Sequence, residues 1–196
     1  HLLWLGLAGH FIGYNTLWMW VWKTREPVLD IMEKISGNRN HYAMMKVGGV
    51  RRDIKDEDIP WILKTLDGIK PSLELFLKAA SDDPVLHARL KKVGVLTAED
   101  IIATGALGPT ARASGVDIDV RRDNPYAVYD RLDWKVITTE NGDVFDKAVV
   151  RILEMNESVS MIEQCLNELP PGEIDLRVKD LPPGEGCGRH EAPRGE

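Results

Sequence analysis

The chain has 196 residues, 43% of them hydrophobic and 29% charged, and a formal net charge of −6. That length suits one sizeable domain or a piece of a larger one, and the composition excludes wholesale disorder. The acidic balance, 25 Lys plus Arg against 31 Asp plus Glu, excludes general binding to a nucleic-acid backbone, which needs a basic footprint.

Residues 1–22 hold no charged side chain apart from histidine and are long enough to span a bilayer. His1, His10, Tyr14, Asn15, Thr16 and three glycines argue against a span. The helical period also runs on through Val28, Leu29, Met32 and Ile35 to a stop at Gly37. The spacing predicts residues 1–36 as one long kinked helix or two, buried on most sides, with glycines that admit a close neighbour.

Gly37–Asp53 breaks the helical pattern, and its Gly48-Gly49 pair and dense polar residues predict a turn followed by an irregular or short extended piece. A helix from about Asp58 follows, with Ile59, Ile62, Leu66, Ile69, Leu73 and Phe76 on one face. Pro60 suits its first turn, and Pro71 should kink it. A shorter helix starts near Pro84 and stops before Gly94. Thr97 and Asp100 form a capping box for a third, which ends at Gly105.

Residues 105–131 read as a long ordered loop with one helical turn, and Leu132–Thr139 as a strand. Phe145, Ala148, Ile152, Met155, Val159, Ile162, Leu166 and Leu169 then step 3, 4, 3, 4, 3, 4, 3. This heptad seam predicts a long core helix packed on the first helix and on the one from Asp58. The tail from Gly172 is extended and turn-rich. The expected fold is mainly α: a bundle of long helices with a small β element and an extended C-terminal tail.

No catalytic constellation closes on residue spacing. HExxH, Walker and GxSxG patterns are absent, and Cys165 and Cys187 form no CxxC pair. The clusters GVRRD (49–53) and VRRD (120–123) read as solvated or salt-bridged loops. His41 is either a hydrogen-bonded structural residue or a group that titrates near neutral pH.

Four stretches together are distinctive: HLLWLG with REPVLDIMEKISGNRNHY and GGVRRD, then TGALGPTARASGVDIDVRRDNPYAVYDRLDW, then NGDVFDKAVVRILEMNESVSMIEQCLNELPPG, and finally GRHEAPRGE. They resemble the large subunit of energy-converting, membrane-bound nickel–iron hydrogenases and its relative, the quinone-site subunit of respiratory complex I. The wording around TLWMWVWKTREPVLD looks closer to the hydrogenase branch. Phe11 supports this, since many complex I subunits carry Asp in that helix.

The resemblance implies a single domain over 1–196, an internal fragment of a catalytic subunit in a multisubunit oxidoreductase that exchanges electrons with iron–sulfur clusters. It implies a partner small subunit holding those clusters, and a cytoplasmic location peripheral to the membrane. The parent would carry a nickel–iron centre or bind quinone. The fragment is expected to hold no metal or cofactor, to be inactive alone, to bind no nucleic acid and to associate with itself. Two rival readings are a helical scaffold that has lost the metal and a protein spanning a membrane once.

By the same resemblance, Arg39 and His41 are candidates for the cluster-facing, proton-coupled surface. Arg112, Glu191 and Arg194 are candidates for the cavity or interface, with Glu191 and Arg194 expected to form a buried pair.

Overall fold

The computed structural model describes residues 1–196 throughout. The elements in chain order are α1 Leu2–Phe11, α2 Asn15–Ser36, β1 Met45–Lys46, β2 Gly49–Val50, α3 Ile59–Asp82, α4 Pro84–Leu90, α5 Ala98–Thr104, α6 Pro109–Arg112, α7 Val120–Asp123 and α8 Val144–Asn167. The fold is mainly α, with one two-stranded antiparallel ribbon and a tail that is largely extended.

The first 36 residues form two helices. Gly13, at φ +81°, closes α1: its N–H donates to His10 O at 3.0 Å, and Tyr14 N–H donates to Gly9 O at 2.7 Å. This paired pattern is a Schellman stop, which needs a left-handed residue. The chain then folds back, so that Gly6 and Gly9 lie against Val21 and Leu17 of α2. No helix is long and apolar enough to cross a membrane. The expected burial on most sides is not found, since Phe11 is 81% and Met19 65% exposed. No other element of the chain covers that face.

The core joins α2, α3 and α8. Val21 and Ile31 meet Ile62, Leu66, Ile69, Leu73 and Phe76, and these meet Ala148, Ile152, Met155, Val159 and Leu166. Burying each large side chain stabilises by about 1.5–3 kcal/mol. The helical period therefore predicts the core of α3 and most of the α8 seam. Two seam positions fail. Ile162 is 42% exposed while neighbouring Met161 is buried, and Leu169 lies beyond the helix end.

Other expectations shift locally. The α3 helix, whose apolar period runs through Pro71, extends to Asp82; Pro71 and Asp67, whose carbonyl loses its helical N–H partner, both lie on the exposed face. The α4 helix ends at Leu90, since Lys91 is already extended. The capping box at Thr97 and Asp100 forms, and Gly105 closes α5 in the left-handed region. The long loop holds two helical turns, α6 and α7.

The strand expected at Leu132–Thr139 is absent. Its backbone bonds to α8 side chains instead: Asp133 N–H donates to Gln164 Oε1 and Asp133 O accepts from Gln164 Nε2, both at 2.8 Å. A segment whose polar groups are satisfied this way needs no ladder. The β element lies at residues 45–50. There the tail joins it, with Val50 N–H donating to Ile174 O and Leu176 N–H to Gly48 O.

These contacts predict that Ile152→Ala costs about 2–5 kcal/mol of stability, whereas Glu74→Ala on the exposed face of α3 changes it by no more than about 0.5 kcal/mol. Denaturant unfolding of the two variants measures the difference. Equal effects would remove the seam from the core.

Candidate functional site

Beside its apolar seam, α8 carries a second line of side chains: Lys147, Arg151, Glu154 and Ser158, stepping 4, 3, 4. The first three are buried. A buried charge must be paired or hydrogen-bonded, or it shifts its pKa. Lys147 Nζ donates to Gly94 O and Gly142 O at 2.7 and 2.8 Å. Arg151 sits 4.0 Å above the Trp4 ring and donates to Lys147 O. Burial lowers its pKa to about 10.

Glu154 meets the GPTAR loop. Gly108 turns the chain at φ +68°, Pro109 opens α6, and Arg112 at its end is only 1% exposed. Arg112 Nε donates to Glu154 Oε1 at 2.6 Å. Both terminal nitrogens donate to Glu191 Oε1 at 3.0 Å, and Nη1 also donates to Ile118 O. Asp119 Oδ2 lies 3.3 Å from Nη1 and is shared with Arg121 at 2.6 Å. Three carboxylates thus surround one buried guanidinium, with Arg121 and Arg151 close by. The other oxygen of Glu154, Oε2, lies 2.7 Å from His1 Nε2.

The EAPRGE turn delivers Glu191. Ala192 and Gly195 pair across it, and the turn presses on the GPTAR loop. A Cβ on Gly108 would lie 2.4 Å from Arg194 O, and one on Gly195 would lie 2.8 Å from Gly108 N. Only glycine permits this backbone approach. Glu191 N–H also donates to Tyr126 Oη at 3.1 Å. The expected Glu191–Arg194 pair is not formed. Arg194 is exposed, because the turn directs Glu191 inward to Arg112 and leaves Arg194 outside.

Arg39 and His41 lie elsewhere. Arg39 is tied to α2 through Glu26, Asp30 and Glu33. His41 is exposed, held only through its backbone N–H to Asn38 Oδ1. The next residue, Tyr42, reaches a cleft of about 560 Å³. Val28, Met32, Leu66, Ile69, Met155 and Val159 wall this cleft, and His1, Arg25, Arg112, Arg121, Glu154 and Glu191 line one part of it with titratable and charged groups. The cleft therefore joins an apolar wall to the buried ion cluster.

Residues 12–187 match the family described as Respiratory-chain NADH dehydrogenase, 49 Kd subunit. The chain belongs to this family. It is 40% identical to the membrane-bound hydrogenase subunit alpha of Pyrococcus furiosus, over 100% of this chain and 50% of that protein. It is 37% identical to the carbon monoxide-induced hydrogenase of Rhodospirillum rubrum, over 100% of this chain and 55% of that protein. It is 40% identical to an NADH-quinone oxidoreductase subunit of Rhizobium etli, over 93% of this chain and 44% of that protein. The chain spans about half the length of these curated relatives.

A nickel–iron centre needs soft thiolate ligands. Cys165 is half-buried on α8, Cys187 is exposed in the tail, and no three His, Cys, Asp or Glu side chains are grouped to hold a metal. The residues of this chain do not fit such a centre.

Sequence spacing alone does not single out His1 or Glu154. A signal for Glu154 exists in the 4, 3, 4 polar line beside the seam. None marks His1, whose partner lies 153 residues away.

Removing one member of a buried ion cluster strands the others, at a cost of about 3–5 kcal/mol. Arg112→Ala should lose that much, and Arg39→Ala, on the surface, far less, because solvent screens its ion pairs. Chemical denaturation of the two variants compares them.

Burial raises the pKa of Glu154 and Glu191 above the ordinary 4.5, against the pull of Arg112. The folded state then binds more protons than the unfolded state between the ordinary and raised values. The contribution of these two groups to stability therefore falls as pH rises through that window. The Glu154→Gln/Glu191→Gln variant should lack this fall, as read from unfolding free energies across pH.

Proposed function

We propose that this chain is part of the large subunit of a multisubunit, membrane-associated oxidoreductase. It exchanges electrons with iron–sulfur clusters of a partner small subunit and interconverts protons and hydrogen, coupled to ion transport. The observation that carries the reading is the cleft: largely apolar walls end on buried carboxylates with raised proton affinity. Charge stabilisation and proton delivery are strongest in such a site.

The hydrogenase relatives, 40% and 37% identical to this chain, support the hydrogen branch. A second reading, quinone reduction, is favoured by the shape of the cleft, which suits a ligand with an apolar body and a polar head. On either reading the subunit sits peripherally on the cytoplasmic face of the membrane. The exposed Phe11, Met19 and Trp20 face is covered by the rest of the parent complex and drives self-association of the isolated chain.

Arg39 and His41 face the nearest cluster in this reading. Arg39 pins the segment to α2, and His41 is the proton-coupled group. A protonated imidazole near the cluster favours its reduced form, so proton and electron uptake assist each other.

The test is the purified complete complex, assayed for hydrogen evolution and for quinone reduction. Hydrogen evolution supports the first reading. Quinone reduction alone moves the chain to the second, and neither activity overturns both. In the same complex, His41→Ala should flatten the pH dependence of the nearest cluster's potential near neutrality. An unchanged slope in a redox titration would return His41 to a structural role.

A further inference from the structure

The ion cluster contains one pair that differs in kind from the rest. Arginine does not release its proton in proteins, so the contacts of Arg112 to Glu191 and Asp119 hold charge but carry no proton. The contact between His1 Nε2 and Glu154 Oε2, at 2.7 Å, joins two groups that both titrate. Both residues line the cleft, with side chains 17% and 7% exposed.

Resting on the proposed oxidoreductase function, we propose that His1 and Glu154 are the proton-donating pair of the cleft, holding one proton between Nε2 and Oε2 and releasing it to a group in the cleft that has gained electrons. The step balances. The pair gives up one proton and gains one negative charge, and the reduced group takes the proton and loses one. The electrons come from the partner's clusters, and a proton from water restores the pair.

Each neighbour has a part in setting this balance. From α6, Arg112 Nε binds the other oxygen of Glu154 at 2.6 Å and fixes which oxygen meets His1. From α7, Arg121 favours the carboxylate, as does Arg151 on α8 itself. Burial opposes all three and raises the proton affinity of Glu154. From the tail, Glu191 shares the Arg112 guanidinium, drawing part of its charge away from Glu154, while Arg194 adds positive field around Arg151. Asp119 is shared between Arg112 and Arg121. Arg25 of α2 lines the cleft near His1. Ser158 Oγ donates to Glu154 O, so the backbone of the residue is held as well. Glu154 is thus the one carboxylate of the cluster placed between a fixed cation and a titratable base, which is the arrangement a general acid needs.

The pair is distinct from the proton-coupled role proposed for His41, which lies in the exposed segment before β1 and has no contact with Glu154 among its hydrogen bonds.

The test uses the complete complex carrying Glu154→Gln, which keeps the shape and the acceptor for Arg112 but cannot titrate, and separately His1→Gln. Each should lower kcat by about a hundred-fold and remove one ionisation from its pH profile. The double variant should be no slower than either single one. Cluster reduction in the partner subunit, followed by electron paramagnetic resonance, should be unchanged, since electrons still arrive.

Difference infrared spectroscopy gives a readout that does not depend on which reaction the complex performs. The carboxylic-acid band of protonated Glu154 should vanish in Glu154→Gln and shift in Glu154→Asp. Variants with lowered stability but an unchanged pH profile, or a wild-type spectrum in which Glu154→Gln removes no carboxylic-acid band and His1→Gln removes no imidazolium band, would overturn the pair. A complex that moves no electrons to hydrogen or quinone, yet shows the carboxylic-acid band, would instead overturn the proposed function and leave the pair standing.

Discussion

The buried guanidinium of Arg112 is the constraint on which the rest depends. A cation this deep costs several kcal/mol to desolvate, and only well-placed anions offset it. Three distant parts of the chain supply them: the loop after α6 gives Asp119, α8 gives Glu154 and the C-terminal turn gives Glu191. Meeting the needs of one side chain therefore draws the loop, the long helix and the tail to a common point.

The two glycine motifs follow from that point. The turn carrying Glu191 reaches Arg112 only because its backbone lies directly against Gly108. Side-chain volume at Gly108 or Gly195 would push the turn outward and take the carboxylate with it. The signature residues of GPTAR and EAPRGE thus serve one piece of geometry, with the glycines setting the approach and the Arg and Glu making the contact. The same compaction dries the carboxylates and gives them the raised proton affinity that the proposed chemistry uses. Stability and function pull against each other in this cluster, as is common where charged groups are buried for chemistry.

The apolar architecture supports the cluster from the other side. The α3–α8 core holds α8 so that its polar line faces the loop and His1 while its seam faces the core. The two lines differ by one residue along the helix, which turns them about 100° apart. One helix thereby forms part of the hydrophobic core and part of the charged end of the cleft.

Local chemistry was legible in the sequence. The helices, the stop at Gly37, the capping box at Thr97 and most of the α8 seam follow from periodicity and from backbone rules that act within a few residues. The resemblance of the motifs also pointed to the family. Tertiary structure alone decided what depends on distant partners. Leu132–Thr139 alternates like a strand but has no neighbouring strand, and α8 side chains take up its backbone instead. Glu191 could as well have paired with Arg194, three residues away, until the glycine-to-glycine contact turned it toward Arg112. His1 and Glu154 stand 153 residues apart, and no spacing rule reaches that far. A sequence records the preferences of each segment. Which charges share a buried site is settled only when the whole chain has packed and water has left.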